Sequence, residues 1–168
     1  MKWYAISGSW RIINKKVKED VTKVVKAIIL RGNGIVTGGA LGVDYIATQI
    51  VLDFGKPEKQ LRIYPPIKLN AFCKHYFKRA KEEVITPKQA EIITSQLKQV
   101  HKIAPNCIFD EWGFTQANIE SYYARNTKII ENCDELYAFQ VNNSQGTQDA
   151  INKAEEMGKP SHIKKYVI

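Results

Sequence analysis

The 168-residue sequence predicts an α/β fold: a three-layer sandwich with a mostly parallel sheet and helices on both faces. Three observations predict it. Short apolar runs alternate with longer stretches of 3.6-residue periodicity, as when each strand is followed by a helix. The joints after several of those runs are short and rich in glycine and small polar residues, the composition of strand-to-helix turns. No repeat, linker or low-complexity segment breaks the order, so residues 1–168 read as one domain, with any inserted subdomain expected around residues 67–112.

The elements follow in order. Residues 3–7 (WYAIS) are a short apolar run stopped at Gly8 and read as a strand. Residues 14–31 place Val17, Val21, Val24, Val25, Ile28 and Ile29 on one helical face with lysines opposite; Asn14 is suited to cap the start and Gly32 to follow the end. Residues 34–37 read as a second strand, residues 43–54 as an apolar helix closed by Gly55 and Pro57, and residues 61–64 as a third strand stopped by Pro65 and Pro66. Residues 69–84 form a basic, aromatic helical stretch. Pro87 suits the first turn of a helix over 87–103, and Pro105 ends it. Residues 106–110 are expected as a short strand. A helix over 115–132 sets Ile119, Tyr122, Tyr123, Ile129 and Ile130 on one face. Residues 135–141 read as a strand, 145–157 as a helix ending at Gly158, and 162–168 as the last strand.

Composition narrows the function classes. Hydrophobic residues at 44% and charged residues at 25% exclude a disordered or fibrous chain. Lys and Arg number 25 against 17 Asp and Glu, a formal net charge of +8 that favours anionic partners such as nucleic acid or nucleotides. Cys73, Cys107 and Cys133 are too scattered for a disulfide framework, which points to a reducing compartment. There is no signal-peptide pattern and no apolar run of about 18 residues, so the expected location is cytoplasmic, with no membrane association. Only Cys73 and His75 fall close together among potential zinc ligands, without paired spacing, so neither a metal nor a cofactor is assigned. No Ser-His-Asp or Cys-His arrangement emerges.

In an open parallel sheet, ligands bind beyond the carboxyl ends of the strands. Three segments lie there. Ser7-Gly8-Ser9-Trp10-Arg11 offers close backbone approach at Gly8, a hydroxyl at Ser9 and a cationic fork at Arg11. Thr37-Gly38-Gly39-Ala40-Leu41-Gly42-Val43-Asp44 carries three glycines between a strand and a helix, so its amides are expected to cradle an anion, with Asp44 in the first helical turn. It is neither a GxGxxG fingerprint nor a P-loop. Asn142-Asn143-Ser144-Gln145-Gly146-Thr147 opens another helix and adds hydroxyls at Ser144 and Thr147. Arg125 follows Tyr122 and Tyr123 on a predicted helix, a guanidinium for phosphate beside rings for a base. The stretch from Lys68 to Lys81 interleaves cations with Phe72, His75, Tyr76 and Phe77; it reads either as a nucleic-acid track or as an amphipathic helix with a solvated basic face.

With these segments identified, the chain resembles the DNA-processing protein A (DprA) and lonely-guy (SLOG) superfamily of Rossmann-like domains. TGGALGVD is similar to the family's [ST]GGAxGxD loop, Arg125-Asn126-Thr127-Lys128-Ile129-Ile130 to its RNRII segment, and Ser144-Gln145-Gly146-Thr147 to its SxGT loop. Thr127 departs from the usual arginine. The resemblance covers essentially the whole chain. It implies a Rossmann-like domain that binds a nucleotide or single-stranded nucleic acid, with Gly8, Ser9, Arg11, Gly38, Gly39, Ala40, Gly42, Asp44, Arg125, Asn126, Ser144, Gly146 and Thr147 at the ligand. Single-domain relatives of this kind commonly pair, so a homodimer is expected. Lonely-guy enzymes cleave the base from a nucleoside monophosphate, which gives an enzymatic alternative, hydrolysis or transfer of a nucleotide's N-glycosidic bond, with Asp44, Glu120 or Asp149 as the acidic group. The lonely-guy PGGxGTxxE motif is not matched: Asn142, Asn143 and Ser144 replace PGG, and Ala150 stands where the carboxylate belongs.

Overall fold

Five strands pair in parallel in the order β3-β2-β1-β4-β5: β1 (Trp3–Gly8), β2 (Gly34–Thr37), β3 (Leu61–Ile63), β4 (Glu135–Val141) and β5 (Ser161–Tyr166). The structure is a computed structural model describing residues 1–168. The helices are α1 (Lys15–Leu30), α2 (Val43–Phe54), the single turn α3 (Pro57–Gln60), α4 (Leu69–Lys81), α5 (Pro87–Ile103), α6 (Ile119–Glu131) and α7 (Gln145–Glu156). No helix is long and apolar enough to cross a membrane.

Alternation along the strands builds the layers. Ile6, Ile35, Ile63 and Phe139 point to one face and bury against α1, α2, α4 and α5. Ala5, Val36, Leu136 and Ala138 point to the other and bury against Ile129 and Ile130 of α6 and Ile151 and Ala154 of α7. The result is a three-layer α/β sandwich with an all-parallel, Rossmann-like sheet. From β1 the chain winds outward through β2 to β3, then returns to β4 on the opposite flank of β1. The turns after β1 and β4 therefore lead to different faces, and a crevice opens between them at this switch in strand order.

Local chemistry fixes the helix ends. Asn14 Oδ1 accepts from the Val17 amide at 3.0 Å, and Gly32 takes the left-handed φ of 77° just behind α1. Thr86 and Gln89 cap α5 reciprocally, with Pro87 in its first turn.

Two segments differ from the sequence reading. Residues 106–110 do not form a strand. Pro105–Cys107 wind into a 3-10 turn, after which Ile108 makes a single bridge to Ile63, and the Phe109 amide donates to the Ile63 carbonyl at 2.8 Å. Proline's fixed φ favours the turn, and the Asp110 carboxylate is drawn off to accept from the Leu69 amide at 2.8 Å, anchoring α4. Ile119 is not on the buried face with Ile129 and Ile130. The helix expected from residue 115 begins only at Ile119, directly after the Asn118 cap; Ile119 is 74% exposed, and Tyr123 is exposed as well.

Candidate functional site

A cavity of about 540 Å³ occupies the crevice at the carboxyl ends of β1 and β4. Gly8 and Trp10 line it from the first turn, Ala40 and Asp44 from the second, Ser144 to Thr147 from the turn into α7, and Tyr122, Arg125 and Asn126 from α6. Asp44 is the one of the three acidic candidates in its wall. Glu120 is exposed on the first turn of α6, and Asp149 is held by Lys153 at 2.6 Å and by the Asn126 amide at 2.9 Å. Ser9, Arg11, Gly38, Gly39 and Gly42 lie outside the lining. Ser9 is buried, its Oγ accepting from the Ile12 amide at 3.1 Å, and Arg11 is exposed with its guanidinium 4.9 Å from the Trp10 ring centre.

The loop Thr37–Asp44 directs its amides inward to the protein. The Gly38 and Ala40 amides donate to one Asp44 carboxylate oxygen at 2.9 and 3.3 Å. Gly39 donates to the Thr37 hydroxyl at 3.3 Å, and Leu41 to the Tyr76 hydroxyl at 3.2 Å. The anion that this loop cradles is thus Asp44 itself. Burial pushes the Asp44 carboxyl up from its usual range, opposed by the Arg125 charge and the Ala40 and Gly38 amides. Gly38 is required for a steric reason: a Cβ there would overlap the Arg125 guanidinium.

Arg125 is the central group. It is 9% exposed, its Nη1 lies 3.9 Å from Asp44, and its guanidinium carbon is 5.4 Å from the Tyr122 ring centre. Its buried Nε and Nη1 have no hydrogen-bond partner in the protein. Donors on a buried guanidinium are costly to leave unmade. In the same cavity wall, α7 begins without a side-chain cap. Thr147 donates its hydroxyl to Ser144 Oγ at 3.3 Å, so neither hydroxyl accepts from the first amides of the helix. Asn142 and Asn143, at φ of 48° and 54°, turn the chain into this start. Asn126 ties α6 to it by donating to the Gly146 carbonyl at 3.1 Å. The arrangement presents a fixed cation and a helix N-terminus to one space, which suits a phosphate.

The wall also contains residues from the basic stretch Lys68–Lys81, which the sequence offered as a nucleic-acid track or as a solvated helix face. Tyr76, His75 and Arg79 reach it from α4. Burial and the nearby Tyr122 hold Tyr76 well above its usual range, so it stays protonated while accepting from Leu41. Burial, then Arg79 and Lys78, push His75 down, which leaves the imidazole neutral at neutral pH. Their sequence signal is the interleaving of cations and rings from Lys68 to Lys81 at helical spacing. Trp10, Ile119 and Tyr123 make the mouth apolar and aromatic. No three His, Cys, Asp or Glu side chains cluster closely enough to hold a metal ion.

Fold and cavity define a Rossmann-like α/β protein with a ligand-sized space at its strand-order switch. The same fold is found in DNA processing protein A from Helicobacter pylori, whose structure concerns its mode of single-stranded DNA binding. That structure matches at a TM-score of 0.68 and 22% identity over 96% of this chain, which spans 64% of the length of the H. pylori protein. The X-ray structures of TM1055 (TM-score 0.57, 15% identity, 72% of that chain) and of DprA from Streptococcus pneumoniae (0.54, 18%, 58%) also match over 96% of this chain. No family model and no curated protein matches the sequence.

Proposed function

We propose that this protein binds nucleotides or single-stranded nucleic acid, seating a phosphate between Arg125 and the N-terminus of α7 and a base against Trp10 and Tyr122. The observation that carries this reading is Arg125, a nearly buried guanidinium in the cavity wall whose Nε and Nη1 have no hydrogen-bond partner in the protein, beside the uncapped start of α7. The net charge of +8 and the fold shared with a single-stranded-DNA-binding protein support it. Base hydrolysis has less support, because Asp44 already accepts from two amides and neither Glu120 nor Asp149 lines the cavity.

The test is thermal shift with inorganic phosphate and nucleoside monophosphates. Binding to the folded state raises apparent stability. Stabilisation of the wild type by a phosphate-bearing probe, lost in Arg125→Ala, supports the site. Equal stabilisation of the variant, or none of the wild type by any probe, overturns it. Release of free base from a monophosphate would transfer the site to the enzymatic reading.

A further inference from the structure

A second surface lies on the α1 side of the sheet. There β1, β4 and β5 carry Tyr4, Tyr137 and His162 on adjacent strands, the two tyrosines half-buried beside α1 and His162 exposed. Ring centres are 5.9 Å apart for Tyr4 and Tyr137, and 4.4 Å for Tyr137 and His162, the second pair stacked within 19° of parallel. A groove of about 250 Å³ runs between these strands and the flank of α1. Lys23 and Arg31 border it from α1 and its cap, and Lys164 from β5. Its single acidic side chain, Asp20, is engaged by the Tyr166 hydroxyl at 2.9 Å, Lys16 at 3.2 Å and Lys164 at 3.5 Å. The neighbouring Glu135 is engaged by Lys2 at 2.8 Å and His162 at 3.0 Å. Lys23 and Arg31 are exposed and outside every ion pair, so the surface carries uncompensated positive charge beside a row of rings.

Parallel strands are normally covered on both faces. Here β5 is the outermost strand, exposed from Ser161 to Lys165, so the row of rings continues to an open edge. A second copy of the chain would bring the same cations against these. A duplex would hide its bases. A single strand offers phosphates to the cations and unstacked bases to the rings, and it complements both features together. We propose that Tyr4, Tyr137 and His162, with Lys23, Arg31 and Lys164, form a contact surface for single-stranded nucleic acid separate from the Arg125 cavity. None of these six residues lines that cavity, so the proposal stands apart from the phosphate reading.

The test is fluorescence anisotropy with a labelled dT 20-mer, using Lys23→Glu/Arg31→Glu, whose two sites are exposed, and Tyr137→Leu, with folding checked by circular dichroism. The charge-reversed variant is expected to bind at least about tenfold more weakly and to lower the slope of log K against log salt by about 1.4, from ~0.7 per phosphate contact on a single strand. Tyr137→Leu is expected to weaken single-strand binding more than duplex binding. Stabilisation by a mononucleotide should be unchanged in both variants, whereas Arg125→Ala should lose it and keep the salt-dependent 20-mer binding. The proposal is overturned if the wild type does not bind the 20-mer, or if both variants bind it as the wild type does. Full competition by poly-glutamate with no loss in Tyr137→Leu overturns it in favour of an acidic peptide. A wild-type dimer that Lys23→Glu/Arg31→Glu dissociates overturns it in favour of a self-interface.

Discussion

The two small-residue loops at the carboxyl ends of the strands look alike in composition and behave oppositely. In Thr37–Asp44, the Gly38 and Ala40 amides close on the loop's own Asp44, and Thr37 and Tyr76 take two more. In the turn ending at Ser144–Thr147, no side chain caps the helix that follows. Density of glycine therefore marks where backbone amides are accessible, and it does not say whether a resident acceptor already fills them. A loop with its own carboxylate positions other groups, here Arg125, whereas an uncapped helix start keeps its first amides free of side-chain acceptors, as the proposed phosphate site requires.

The difference can be broken from either side. Asp44→Ala has the largest expected effect. It strands a buried guanidinium and two amides, and should lower the urea-unfolding free energy by about 3 kcal/mol. Added sulfate should recover part of that loss in the variant and much less in the wild type, because the vacated loop becomes an anion site. Gly38→Ala should destabilise by about 1–3 kcal/mol, since the new methyl must displace Arg125, and ligand stabilisation should fall with it. At Gly146 a Cβ meets nothing within 4 Å, so Gly146→Val should keep the thermal midpoint within a few degrees while weakening phosphate binding at the cavity wall. If Gly38→Ala is silent and Gly146→Val unfolds the protein, the contrast between the loops is wrong.

The smallest effect lies outside both loops and sharpens the comparison as a surface reference. The hydrogen bond from Lys2, then that from His162, hold the Glu135 carboxyl below its usual range. A carboxylate lowered on folding adds stability above its unfolded value and loses it as pH falls through the folded one. Glu135→Gln should therefore melt slightly lower than the wild type at neutral pH, and the two should converge below about pH 4.

Much of the fold was legible because its strands and helices carry their own periodicity and caps. Asn14, Pro87 and the valine stripe of α1 are local signals, and local physics honours them. Residues 106–110 failed because a short apolar run does not say whether it pairs along its length or touches once, as Ile108 does. Ile119 failed because its position at the very start of α6 outweighs its place in the helical period. Arg125 and Ser144–Thr147, picked out from residue type and spacing, line the cavity. The fate of the first loop's amides could not be read this way, because one of their acceptors, Tyr76, lies 35 residues away on another helix.

The two edges of the sheet have unequal fates. Ile108 and Phe109 close β3, while β5 presents its outer backbone to solvent with Lys164 and Lys165 on opposite faces. An open strand of this kind is a template for runaway pairing between molecules, and lysine is a common guard against it. Replacing both with valine would remove the guard, leaving Ile163 flanked by β-branched neighbours on a bare edge, and the expected outcome is fibrillar aggregation instead of a soluble protein.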